Sequence, residues 1–238
     1  MKIIYSLIAA SAAMMGTILV LIFHKWSKKN SFLIINFSAG VMLTLAFTHL
    51  IPKSLSISTN STKVMMYVLL GFLIMLFLEF VILFHHYHDD KHHKHIDLTS
   101  IIGFSLHSIT DGLVISIGFE ANISTGILTT LTILLHKLPD GVTVSGILLH
   151  NNNASKKKIF NLSFLTACFT PIGTFLGIFL FKNISMTVLS TLLSITAGTF
   201  IFLSASGLIP KTYKCKNRLT SLTLLAGVII IIVLEHII

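Results

Sequence analysis

Twice in this chain an imidazole and a carboxylate stand four residues apart inside apolar sequence, as His107 with Asp111 and His136 with Asp140. The surrounding pattern, His-x-x-x-Asp-Gly-x-x-x-Ser, runs from His107 to Ser116 and recurs 29 positions later from His136 to Ser145. On a helix, residues four apart lie about 40° apart around the axis, so each His shares a face with its Asp. Imidazole nitrogen and carboxylate oxygen suit a borderline divalent cation such as zinc. Charged side chains at membrane depth cost several kcal/mol and persist where they have a polar task. Two adjacent helices that each present His and Asp therefore point to a site that moves a metal ion.

The elements that must position these residues are transmembrane helices. The chain has 238 residues, 54% hydrophobic and 11% charged, with a mean hydropathy of +0.91. This is a polytopic membrane composition, and no polar stretch is long enough to build a separate soluble core. Apolar runs fall at about 3–23, 32–51, 64–84, 98–119, 123–149, 159–181, 184–209 and 219–238. Each is near the roughly 20 residues that a helix needs to cross a bilayer. The runs are continuously apolar and do not alternate, which argues against strands. The expectation is an all-α membrane protein of eight transmembrane helices, with residues 1–238 forming a single transporter domain.

The net charge of +9 belongs to the loops. With the N-terminus outside, twelve Lys and Arg fall in cytoplasmic loops (residues 25–29, 91–94, 156–158 and 211–218) and four outside, while Lys137 lies within a span. The positive-inside rule then places both termini on the extracytoplasmic side. Basic loops facing anionic lipid explain the charge without a nucleic-acid partner. The opening residues could also be read as a signal peptide, but the apolar run continues to Phe23 and ends in a basic segment, which favours a retained first helix. Cys168 and Cys215 give no disulfide framework. The sequence leaves the choice between the plasma membrane and an organelle membrane such as the Golgi open.

An internal echo brackets the central pair. Ala39-Gly40 is followed, twelve residues after the glycine, by Pro52 in Leu50-Ile51-Pro52-Lys53. Ala197-Gly198 is followed at the same distance by Pro210 in Leu208-Ile209-Pro210-Lys211. Spans 1–3 and 6–8 thus read as repeats around spans 4 and 5, a 3+2+3 arrangement. Spans 2 and 7 cross in opposite senses, so the repeats are inverted, as in many secondary transporters. Four of the eight acidic residues (Glu79, Asp111, Asp140 and Glu235) lie at membrane depth. His49, Glu79, His150 and Glu235 are auxiliary or pathway candidates. Between spans 3 and 4, a cytoplasmic loop at 85–95 carries His85, His86, His88, His92, His93 and His95, a composition suited to chelating metal. Pro139, between His136 and Asp140, frees the Leu135 carbonyl from its helical bond. Gly112, Gly118, Gly141 and Gly146 would let spans 4 and 5 approach each other closely.

His107-Ser-Ile-Thr-Asp-Gly112 followed by His136-Lys-Leu-Pro-Asp-Gly141 resembles the paired signature of the ZIP (Zrt/Irt-like) metal transporter family. The likeness extends to the 3+2+3 helices, the His-rich loop after the third, and His49-Leu-Ile-Pro52 closing the second. It implies transport of Zn²⁺ into the cytosol from outside or from an organelle lumen, with Fe²⁺, Mn²⁺ or Cd²⁺ as alternatives and no resident cofactor. It also implies His107, Asp111, His136 and Asp140 as ligands and admits a homodimer. Many family members hold a second metal; the corresponding positions here are Ser108, Lys137 and Thr170, which lack the carboxylate or amide ligands. The implied reading is a one-metal site with Lys137 as a built-in counterion. Two other functions fit less well. A cation-diffusion-facilitator-like exporter would lack its cytosolic C-terminal domain. A membrane-embedded zinc hydrolase, with His107, His136 and an Asp on zinc and Ser116 or Asp140 assisting, would lack His-Glu-x-x-His.

Overall fold

Continuous apolar sequence with few breakers leaves backbone hydrogen bonding as the only way to satisfy the main chain in lipid, and the described residues are almost wholly helical. The structure, a computed structural model, describes residues 1–85, 94–150, 155–179, 186–210 and 218–237. Helices α1 (Lys2–Ile22), α2 (His24–Lys29) and α3 (Ser31–Thr44) open the chain. A π-helical turn, Leu45–Leu50, carries α3 into α4 (Ile51–Ile57). Then come α5 (Ser61–His85), α6 (Lys94–Ala121), α7 (Ile123–His150) and α8 (Lys156–Phe179). Helix α9 (Met186–Phe202) leads into a second π-helical turn, Leu203–Leu208, and α10 (Arg218–Ile237) follows.

Every span expected from the sequence contains a helix. Seven of the described helices are long and apolar enough to cross a membrane. The exception is α7; at 28 residues it has the length, but His136, Lys137, Pro139 and Asp140 dilute its apolar sequence. Pro139 does not break α7, which runs through it. The His-rich segment falls largely on 86–93, outside the described residues; His85 ends α5 and His95 lies in the first turn of α6.

Short polar residues set where helices begin. Asn60, Asn122 and Ser155 accept the main-chain N–H three residues on at the starts of α5, α7 and α8. Asn122 alone separates α6 from α7, so the two form a tight hairpin. His107 lies 15 residues before this turn and His136 lies 14 after it. Both motifs therefore sit at one depth, about 22 Å from the turn at 1.5 Å per residue.

Glycine fixes which helices touch. A methyl on Gly16 or Gly141 would strike the backbone between α1 and α7, and one on Gly112 or Gly173 the backbone between α6 and α8. Gly40 and Gly227 join α3 to α10 in the same way, as Gly71 and Gly198 join α5 to α9. These four contacts interconvert when α1, α3 and α5 are exchanged with α8, α9 and α10, and α6 with α7. The two π-helical turns also correspond under that exchange. Buried hydroxyls reinforce the packing: Ser54 Oγ lies 2.8 Å from Ser190 Oγ and 2.6 Å from Ser194 Oγ, tying α4 to α9. Leu69, Phe77, Phe164, Leu222 and Ile229 are exposed, as side chains facing lipid would be.

Candidate metal centre

The α6–α7 hairpin brings His107, Asp111, His136 and Asp140 into one buried cluster, and one ligand atom from each lies within 4.8 Å of all the others. All four are at most 5% exposed. His107 Nε2 stands 3.2 Å from Asp111 Oδ2 and 3.4 Å from Asp140 Oδ2, and His136 Nε2 stands 3.5 Å from Asp111 Oδ2. Ligands at zinc's usual bond length of roughly 2.0–2.2 Å in a tetrahedron are about 3.3 Å apart, so three edges already have near-tetrahedral length. Neither ring nitrogen of His107 and neither oxygen of Asp140 has an aligned hydrogen bond, although all are buried. Buried polar atoms rarely lack hydrogen bonds, so one nitrogen of His107 and one oxygen of Asp140 here can still accept a cation. The Phe200 ring, 4.5 Å from the His107 ring, closes the cluster toward α9.

Lys137 is 1% exposed and points into the same cluster. Its Nζ lies 2.8 Å from Asp111 Oδ2 and 3.5 Å from Asp140 Oδ2, and it donates to Ser108 Oγ at 3.0 Å. Two of the three positions singled out for a second metal thus meet around an ammonium. The third, Thr170, is fully buried with an unpaired hydroxyl, and its carbonyl packs against Gly112.

Two small cavities flank the centre. One, of about 20 Å³, is lined by Leu45, His49, Thr132, His136 and Glu235, among others. The other, of about 10 Å³, is lined by Ser108, Lys137, Asp140, Ser163 and Thr166 and lies further along α7. Each is about the size of a single water, so a hydrated ion passes neither without movement. His49 Nδ1 is 3.7 Å from Glu235 Oε1, and the His49 and His136 rings are 6.1 Å apart. Two of the auxiliary candidates therefore meet beside the cluster. The other two do not join it: Glu79 is half-buried on α5, and His150 ends α7, where Ser31 Oγ lies 3.0 Å from its Nδ1. Sequence reasoning missed Ser163 and Thr166; the stripe Ser163, Thr166, Thr170, Thr174 at helical spacing on α8 was the available signal.

The sequence profile of the ZIP Zinc transporter family matches residues 85–235, a stretch that contains the whole cluster. The chain belongs to this family. Among its relatives, the zinc transporter SLC39A7 of Homo sapiens is 32% identical over 140 residues, covering 55% of this chain and 30% of its own. The zinc transporter YKE4 of Saccharomyces cerevisiae is 24% identical over 209 residues, covering 75% of this chain and 60% of its own. The protein zntA of Dictyostelium discoideum is 30% identical over 119 residues, covering 49% and 24%. The chain thus spans less than two thirds of the length of each of these relatives. Family membership and the seven apolar helices make it a multi-pass membrane protein.

Proposed function

We propose that this chain carries Zn²⁺ across its membrane toward the cytosol through a single site formed by His107, Asp111, His136 and Asp140. The observation that carries the reading is the convergence of two imidazoles and two carboxylates, buried and within 4.8 Å of one another, from the two halves of one hairpin. The relatives named as zinc transporters support zinc as the substrate, and mixed nitrogen and oxygen ligands suit it. Fe²⁺, Mn²⁺ and Cd²⁺ are the alternative cargoes, since such a donor set excludes little. Lys137 takes the place of a second metal and partly neutralises the carboxylates. Helix α7 is the eighth span, spans 1–3 and 6–8 are inverted repeats about α6 and α7, and both termini face away from the cytosol. The exchangeable glycine contacts support the repeat relation.

The cavity beside His49, Glu235 and His136 serves as the extracytoplasmic approach, and that beside Ser108, Ser163 and Thr166 as the cytoplasmic one. The test is zinc uptake by vesicles reconstituted with the pure protein. Uptake is expected in the wild type and not in His107→Ala or Asp140→Ala, because loss of one ligand leaves both the ion and the buried partners under-coordinated. Near-normal uptake in either correctly inserted variant would refute the site.

A further inference from the structure

Lys137 occupies the oxygens that a metal needs. Its Nζ contacts Asp111 Oδ2, the atom that both histidines face, and Asp140 Oδ2, the atom that faces His107. Ammonium and metal therefore compete for the same two atoms. The ammonium also has somewhere to go. Ser108, Asp140, Ser163 and Thr166 line the cavity of about 10 Å³ beside it. Ser163 Oγ is buried there without a hydrogen-bond partner. A hydroxyl oxygen in that position is an unused acceptor for a displaced lysine, and Ser108 already accepts from Lys137.

We infer that Lys137 is a tethered cation that exchanges places with the transported metal, holding Asp111 and Asp140 when the site is empty and moving toward Ser163 when a divalent ion binds. This rests on the reading of the four-residue cluster as the transport site. The charges explain its use. Two carboxylates alone would alternate between a charge of −2 and neutrality, counting both histidines as neutral. With the lysine the site alternates between −1 and +1, so neither state buries more than one uncompensated unit. The empty carrier is no longer the state that is hardest to keep in the membrane. The same cation repels the bound metal, so zinc is held more loosely than four ligands alone would hold it and leaves faster.

The experiment is equilibrium zinc binding to the purified full chain by competition with a chromophoric chelator. The binding that is lost in His107→Ala is taken as the core site. Lys137→Met should bind zinc there about tenfold more tightly or better, a conservative figure for removing a unit charge about 4 Å from a divalent ion. Its maximal uptake rate in vesicles should fall, because release is slowed. Ser163→Ala, which removes only the hydroxyl and adds no bulk beside the cavity, should bind zinc more weakly than the wild type, and it tests the exchange even if Lys137→Met does not fold. Unchanged or weaker zinc binding in Lys137→Met overturns the inference, as does wild-type affinity in Ser163→Ala. If His107→Ala loses no zinc binding, the transport-site reading itself fails, a result distinct from either of these.

Discussion

Replacing Asp111 with Asn should separate what the carboxylate does for folding from what it does for the metal. At 2.8 Å the Lys137–Asp111 attraction is about 6 kcal/mol at an effective dielectric of 20, and the 3.5 Å pair with Asp140 about 5. Desolvation offsets much of both, but removing one partner of a buried pair typically costs about 3–5 kcal/mol, because the other charge stays buried. Asp140 remains beside Lys137, so the lower end, about 3 kcal/mol, is expected for Asp111→Asn in zinc-free solution. Lys137→Met removes that stranded charge. In its background Asp111→Asn should cost about 1 kcal/mol or less, giving a coupling of about 2 kcal/mol. The assay is equilibrium unfolding in mixed micelles with a chelator present, for the wild type, both single variants and the double variant. Zinc uptake should be absent in Asp111→Asn and in the double variant alike, so stability returns while transport does not. Effects that add to within about 0.5 kcal/mol would refute the pairing of Lys137 with Asp111.

Three further outcomes follow from the geometry. Gly141→Ala should destabilise the protein by about 1–3 kcal/mol and reduce uptake, since the methyl strikes the Ala13 backbone, whereas Gly207→Ala, with nothing within 4 Å of the added carbon, should be neutral or slightly stabilising; the same unfolding assay compares them. Glu235→Gln or His49→Ala should raise the zinc concentration needed for half-maximal uptake severalfold while core zinc binding is retained, because both residues line the approach and not the cluster; loss of core binding would move them into the site. Replacing His85, His86, His88, His92, His93 and His95 with Ser should leave vesicle uptake measurable, and its disappearance at normal protein abundance would place that segment in the pathway.

The chemistry of the site was legible because helical periodicity alone puts His107 over Asp111 and His136 over Asp140. Their meeting was legible too, since the one polar break at Asn122 lies midway between the motifs. Lys137 could be singled out as a cation among the proposed ligands, but not its distances: reaching Asp111 rather than only its own helix's Asp140 depends on how closely α6 and α7 approach. The glycines were visible as small residues, but the partners expected for them were wrong in three of four cases: only Gly118 faces the other central helix, while Gly112 packs on α8, Gly141 on α1 and Gly146 on α3, because a stripe of small residues names no neighbour. Gly16 against α7 and Gly173 against α6 emerge only in three dimensions. The adjacency of His49 and Glu235 was equally hidden, joining residues near opposite ends of the chain. At the second expected span the apolar run ends at Ile51, whereas the helix continues through Pro52 to Ile57.

That continuation passes through the turn Leu45–Leu50, whose wider winding uses about one residue more than an α-helix would. One extra residue advances everything after it by about 100° around the axis. The turn therefore acts as a phase shifter, and Ser54 meets Ser190 and Ser194 only in the shifted phase. The chain has in effect two reading frames of helix face, one for α3 against α10 and another for α4 against α9. A substitution in this segment leaves the frame intact, whereas removing a single residue from it resets the frame and swings the Ser54 hydroxyl off its partners. The stretch from Leu45 to Leu50 should thus tolerate exchange of side chains far better than any change in their number.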